Sequence, residues 1–269
     1  MNNTKIWKDI QNPKTLNLFA GPCLAESHDV CQTTALKLKE ICQKQGVNYI
    51  FKASFDKANR SSCHSERGQG MEKGLEMLSM LSKVVPIVTD VHEPWQCKPV
   101  SEIVDVIQIP ALLSRQTDLL KAAAGTGKVV NVKKGQFMAP MDIVNVVEKL
   151  EYFGCEKIIL TERGTTFGYN NLVVDMRSLK QMKKLSYPVM FDATHSVQTP
   201  GSMGSSSGGD VEYVEPLAMA AIAAGAGSLF IETHPDPTEA WCDGPNSVPL
   251  EAMGKLIKKA KSVFDLNLN

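Results

Sequence analysis

VNYIFKASFDKANRSS, Val47 to Ser62, changes character at its midpoint, and that change decides the fold. Val47 to Phe51 is dominated by Val, Tyr, Ile and Phe, the residues of a strand. Lys52, Ser54, Lys57, Asn59, Arg60, Ser61 and Ser62 follow at once. Cations beside short hydroxyls and an amide are poor material for a buried strand, because an unpaired ammonium is costly out of water. They suit the gripping of phosphate or carboxylate, where Lys supplies a point charge and Arg a two-pronged fork. Taken alone, the stretch reads equally as a solvated basic loop, so the rest of the chain decides.

The same transition recurs. Asn17–Ala20 runs into GPC, Pro86–Thr89 into DVHE, Val104–Ile109 into PA and Val129–Val132 into KKGQ. Ile158–Leu160 runs into TERG, Val189–Phe191 into DATHS and Leu229–Ile231 into ETHPD. With Val47–Phe51 these make eight candidate strands, and near-continuous apolar runs of this kind suit parallel strands buried on both faces. Helical patterns fill the gaps at Asp29–Gln45, at Met71–Leu81 with Leu75, Leu78 and Leu81, and at Leu250–Phe264. Another runs from Pro140, a first-turn proline, to a closing Gly154. The Ala- and Gly-rich window Leu217–Ile231 falls short of the roughly 20 apolar residues a bilayer requires and reads as a buried helix running into a strand. Strand and helix alternating eight times predict an α/β fold, a (β/α)8 TIM barrel in a single domain, with residues 1–15 a short N-terminal extension. A doubly wound open sheet is the alternative, but no glycine-rich dinucleotide fingerprint follows the first strand.

Composition narrows the function. The 269 residues carry 29 basic and 29 acidic side chains, so a polyanion-binding surface and a nucleic-acid partner are not expected. Any basic cluster must be local. Seven cysteines lack paired spacing and MNNTKIWKDI lacks the apolar core of a signal peptide. Both predict a cytoplasmic protein with reduced thiols and no membrane partner. Ser202 to Asp210, SMGSSSGGD, reads as a long mobile loop, suited to closing over a substrate.

Every candidate strand ends in residues able to do chemistry. They are Cys23 and Glu26, Lys52, Asp90 and His92, Gln108, Lys133 and Lys134, Glu162 and Arg163, Asp192 and His195, Glu232 and His234. In a barrel these ends converge on the face that carries the active site. Two constellations stand out. Lys52, Lys57, Arg60, Lys133 and Arg163 gather cations that call for anionic substrates. Cys23, His195, Glu232 and Asp243 fall on or beyond strands one, seven and eight, neighbours in a closed barrel, and would suit Fe2+, Zn2+, Mn2+ or Co2+ better than Mg2+ or Ca2+. No HxxxH or CxxC spacing marks that second set. From residues alone Cys23 reads as a small buried hydrophobe, and His92 and His234 are alternative ligands.

GPCLAES, FKASFDKANRSS, TDVHE, DVIQIPALLSRQTDL, NVKKGQF, TERGTTFGYNNLVVDMRS, FDATHSVQ and FIETHPDP together resemble the 3-deoxy-D-manno-octulosonate 8-phosphate synthases, from about Leu18 to Pro249. KANRS is the specific motif; the related 3-deoxy-heptulosonate 7-phosphate synthases resemble KPRT at Lys57 to Ser61. The resemblance implies the barrel, usually a homotetramer, and the condensation of phosphoenolpyruvate with arabinose 5-phosphate and water in lipopolysaccharide biosynthesis. It implies that Lys52, Lys133 and Arg163 hold phosphoenolpyruvate, with Gln108, Ser54 and the Ala111 backbone in the substrate pocket. It puts Lys57 between the substrates, Asn59 on the sugar hydroxyls, and Arg60 and Ser61 on the sugar phosphate. Arg115 resembles an arginine lent to that phosphate by a neighbouring subunit. Cys23 matches the metal-dependent branch, with His195, Glu232 and Asp243 as the remaining ligands of a divalent ion. Lys57, His195 and Asp243 are then the catalytic candidates, the last two able to move protons. WCDGPN, Trp241 to Asn246, departs from that pattern and resembles the loop of the metal-independent branch.

Overall fold

A computed structural model describes residues 3–60, 62–199 and 208–268. Eight parallel strands close into a barrel: β1 (Asn17–Gly21), β2 (Asn48–Lys52), β3 (Ile87–Asp90), β4 (Val106–Ile109), β5 (Val129–Lys133), β6 (Ile158–Glu162), β7 (Val189–Asp192) and β8 (Ser228–His234). Each pairs with the next, and β1 pairs with β8 from Asn17↔Ser228 to Gly21↔Glu232. The expected (β/α)8 barrel is the fold.

The helices are α1 (Asn3–Gln11), α2 (His28–Gln45), α3 (Met71–Ser82), α4 (Cys97–Ser101), α5 (Thr117–Ala124), α6 (Val144–Tyr152), α7 (Arg177–Met182), α8 (Val214–Ala223) and α9 (Met253–Leu266). Helix α2 shows why such segments start and stop where they do. Ser27 Oγ accepts from Val30 N at 3.2 Å, and Gly46, at φ 65°, turns its N–H back onto the last carbonyls.

Three boundaries differ from the sequence reading. β4 starts at Val106, because Val104 N still donates to Val100 O and Asp105 caps Ile87 N at 2.9 Å. Pro140–Ile143 is a 3-10 turn that precedes α6. α9 begins at Met253, because Val248 and Pro249 pair with β8 and Leu250 N donates to His234 O.

The core has two parts. A large cluster lies between strands and helices, and a second fills the barrel with Phe19, Ile50, Val88, Val106, Val129, Ile159, Met190 and Phe230, one from each strand. Side chains alternate faces along a strand. Two residues further on, the same inward direction falls to Gly21, Lys52, Asp90, Gln108, Asn131, Thr161, Asp192 and Glu232. The barrel is therefore apolar below and polar above. Gly21 is required at its place, since a Cβ there would lie 2.1 Å from the Lys52 carbonyl oxygen.

The N-terminal segment is more than an extension. Helix α1 carries Ile6 and Ile10 into the inner cluster, with Trp7 packed against it, and so plugs the end of the barrel opposite the polar layer. Ile10→Ala is expected to lower unfolding stability by about 2–5 kcal/mol, measured as a urea midpoint. An unchanged midpoint would mean that α1 does not cover the barrel in solution.

Candidate active site

The polar layer and the loops above it bring most of the candidate residues together. Lys52 Nζ donates to Glu232 Oε1 at 2.6 Å and to the Cys23 carbonyl at 3.0 Å. Lys57, on the loop after β2, reaches within 3.9 Å of the same Glu232 oxygen. Lys133, at the end of β5, lies 2.6 Å from Asp192 and 3.8 Å from the centre of the Phe230 ring, a cation–π contact with the topmost inward-facing apolar residue of β8. His195 rests its Nδ1 on Asp192 at 3.0 Å, which turns Nε2 toward Glu232 (3.6 Å) and Asp243 (3.7 Å).

Cys23 Sγ donates to Asp243 Oδ2 at 3.2 Å, and Arg60 lies 3.5 Å from the other oxygen of that carboxylate. Asp243 adopts φ 52°, a left-handed conformation, and its carbonyl accepts from the Asn246 and Ser247 backbones. The following residue must be glycine, since a Cβ at Gly244 would sit 2.4 Å from the Pro237 carbonyl oxygen. Above this corner opens a cavity of about 580 Å³ lined by Arg60, His64, Trp241, Cys242 and Asp243.

Burial opposes every charge here, and neighbours decide the outcome. Asp192 and Glu232 are desolvated, yet His195, Lys133 and Lys52 hold both carboxyls far below the usual range. Burial pulls the Lys57 ammonium down, but Cys23, Glu232, Cys242 and Asp90 around it keep it well above its ordinary value. Burial pushes the Cys23 thiol well up, reinforced by Cys242 and Asp243, so a thiolate there needs a cation beside it.

Arg163 is the exception among the cations. It is buried, which lowers its pKa; Nη2 donates to Gln198 Oε1 at 3.2 Å, while Nε and Nη1 find no partner. Among the described residues no carboxylate lies within 4.0 Å of its guanidinium; Glu162 Oε1 accepts from its backbone N–H instead, at 2.9 Å.

Of the remaining candidates, Gln108 is buried and accepts from Asn131 Nδ2, Ala111 is buried at the start of a 3-10 turn, and Ser54 Oγ donates to Asp90. Asn59 is exposed on the turn before Arg60, and Ser61 lies outside the described residues. Arg115 does not join the mouth of its own barrel. It is exposed, stacks on Phe137 at 5.9 Å, and lines a separate cavity of about 410 Å³ with Asp142, Asn145 and Lys149. The proposed mobile loop falls largely outside the described residues; its end, Gly208–Gly209, pairs with Gln198–Thr199.

Ligand atoms of Cys23, Glu232 and Asp243 lie within 4.8 Å of one another, a triad able to hold a metal ion. One observation favours such a fit: Glu232 Oε2 is buried without a hydrogen-bond partner. The alternative ligands go elsewhere, His92 to Asp90 at 3.2 Å and His234 to Glu26 at 3.3 Å. The sequence placed Asp192 and Glu26 at strand ends without a partner for either, and Gln198 and Cys242 only inside the motifs FDATHSVQ and WCDGPN, with no role for either. Nothing in their spacing marks the last two.

Fold and site together define a barrel enzyme for anionic substrates. The chain belongs to the DAHP synthetase I family, whose sequence pattern matches residues 6–266. It is 55% identical over 249 residues to a 2-dehydro-3-deoxyphosphooctonate aldolase of Fusobacterium nucleatum, covering 92% of this chain and 90% of that one. It is 55% identical over 252 residues to the protein of that name in Geobacter sp. strain M21, covering 93% and 92%. To the one in Cyanothece sp. strain PCC 7425 it is 54% identical over 248 residues, 91% of each.

The depressed carboxyls give a test of this electrostatic layer. A carboxyl whose folded pKa lies below its unfolded value, roughly 4, stabilises the fold above that pH and loses its contribution as pH falls toward the folded value. Asp192→Asn is expected to cost roughly 3–5 kcal/mol at neutral pH, by leaving Lys133 unpaired, and to flatten the decline of stability below about pH 4. Urea midpoints from pH 7 to pH 3 read both effects.

Proposed function

We propose that the protein condenses phosphoenolpyruvate with D-arabinose 5-phosphate and water, giving 3-deoxy-D-manno-octulosonate 8-phosphate and inorganic phosphate for lipopolysaccharide biosynthesis. The observation that carries this reading is Arg163, a buried guanidinium with two unpartnered donors just past β6, the strand that pairs with the β5 strand of Lys133. A fork of that kind is completed by a phosphate or carboxylate. The names of the relatives, which concern a phosphorylated 2-dehydro-3-deoxyoctonate, support the same substrates.

In this reading Arg163, Lys133 and Lys52 hold phosphoenolpyruvate, with Gln108 and the Ala111 backbone beside it and Ser54 fixed below through Asp90. Asn59 meets the sugar hydroxyls, and Arg60 and Ser61 grip the sugar phosphate. Arg115 faces away from its own mouth and serves a neighbouring protomer of a homotetramer. Lys57 stands between the two anions and offers its proton to the aldehyde oxygen.

The enol carbon C3 attacks the aldehyde carbon, and the π pair becomes the new C–C bond while the aldehyde oxygen takes up a proton. Water adds to C2 and loses a proton, for which Asp243 has a second carboxylate oxygen, while the Asp192 contact at Nδ1 leaves His195 Nε2 to serve as a ligand atom. The C2–O bond then breaks as the C2 hydroxyl gives its remaining proton to the departing phosphate, and the keto group forms. Holding both substrates in one geometry removes much of the entropic barrier.

Cys23, Glu232 and Asp243, with His195 as the fourth group, would hold a divalent Fe2+, Zn2+, Mn2+ or Co2+. Such an ion supplies Lewis acidity toward the aldehyde or a bound water. Among the described residues no helix is long and apolar enough to cross a membrane, and the seven cysteines are free; the place of action in this reading is the cytoplasm.

Phosphate release is expected with arabinose 5-phosphate, and turnover with erythrose 4-phosphate alone would overturn the choice of substrate. Arg163→Ala is expected to lower kcat/KM for phosphoenolpyruvate at least roughly 30-fold, the effect of truncating a buried charged contact. Chelation is expected to remove activity, and Cys23→Asn to abolish tight metal binding in equilibrium dialysis. Full activity of a verified metal-free preparation would refute the metal.

A further inference from the structure

Glu26 has no place in the reaction above, yet it is buried where three loops meet. Its Oε1 accepts from the Trp241 backbone N–H at 3.1 Å, and its Oε2 lies 3.3 Å from His234 Nε2. Its own carbonyl accepts from Gln69 Nε2. Trp241 is two residues before Asp243, Gln69 closes the loop that carries Lys57 and Arg60, and Glu26 is three residues after Cys23.

The Cys23 side of this junction is rigid without Glu26. Ser54 N donates to the Cys23 carbonyl and Ala25 N to the Ser54 carbonyl, so residues 23–25 extend the pairing of β1 with β2. Asp243 has no such ladder. It sits in a left-handed turn on a loop, and the turn is fixed internally by its carbonyl. On its far side the turn is tied to β8 by the pairing of Val248 and Pro249; on its near side, toward Cys23, the Trp241 N–H to Glu26 bond is the anchor. His234 braces the carboxylate from β8, with its Nδ1 held 2.6 Å from the Asp236 carbonyl.

We propose that Glu26 is a positioning residue: it fixes the Asp243 turn opposite Cys23 and so sets the width of the Cys23–Glu232–Asp243 triad for a divalent cation. The inference rests on the metal reading given above. Partners behind metal ligands commonly govern affinity by orienting those ligands.

Co2+ titration of the full chain tests it, with the thiolate-to-cobalt absorption and competition against a chromophoric chelator as readouts. Glu26→Ala is expected to weaken Co2+ about 10-fold or more and to alter the absorption. Glu26→Gln is expected to remain close to the parent protein. Its amide oxygen still accepts from Trp241, and its NH2 can donate to a neutral His234 Nε2. Wild-type affinity and absorption in Glu26→Ala overturn the proposal, as does a Glu26→Gln as impaired as Glu26→Ala. Should Glu26→Ala fail to fold, His234→Ala takes its place: it removes the brace, and a loss of affinity is expected, while an unchanged value overturns the proposal. No thiolate absorption in the parent protein, with Cys23→Ala as the blank, overturns the metal reading and this inference with it.

Discussion

The buried contact between Lys52 and Glu232 is the interaction on which the mouth of the barrel depends. It joins β2 to β8 across β1, a span left open because the β1 residue between them is Gly21. Two charges this deep are expensive to desolvate, and removing either one strands the other. Glu232 repays that cost several ways, since the same oxygen also faces Lys57 and His195 while the second oxygen stays without a partner. One carboxylate thus sets the spacing of two lysines, a histidine and a candidate metal site.

Around that contact the layer is nearly neutral. Lys133 has Asp192, Arg60 has Asp243, and Lys52 has Glu232. The sequence suggested a cluster of cations that call for anionic substrates; the folded chain also intersperses carboxylates among them and leaves the imbalance at Arg163. Its partner Gln198 is an amide and so orients the guanidinium without cancelling its charge. A carboxylate in that place would close the fork and compete with any incoming anion. Selective under-pairing of one arginine does more for anion capture than a surplus of lysines would, because the ion pairs keep their geometry when the site is empty.

Much of the fold was legible because apolar runs and helical spacing repeat with the period of the barrel. Boundaries failed where a backbone group had a tertiary use: Leu250 N goes to His234 O, so α9 cannot begin there. Helix α1 was overlooked although Ile6 and Ile10 are spaced i, i+4, a signal easily lost in so short and polar a segment. In the site, strand ends identified which residues share a face. They could not say who meets whom, since Lys52 and Glu232 are 180 positions apart and Cys23 and Asp243 are 220 apart. Arg115 illustrates the same limit: its motif identified it, but only the fold shows it turned from its own mouth toward Phe137.

The division of the barrel into an apolar half and a polar half explains how such a charged site is tolerated. Phe19, Ile50 and Phe230, with the Ile6 and Ile10 plug beneath them, concentrate apolar burial in the lower half of the barrel interior. The upper layer is then free to hold groups that stability alone would reject, such as an unpartnered Arg163 and a left-handed Asp243. Phe230 is the hinge between the two regimes. Its ring closes the apolar layer from above and presents a face to the Lys133 and Lys52 ammonium groups, at 3.8 and 5.5 Å. An aliphatic residue there would fill the barrel as well but would leave both lysines over a surface with no attraction for charge. The aromatic ring is what lets a packed core end directly beneath a layer of buried ions.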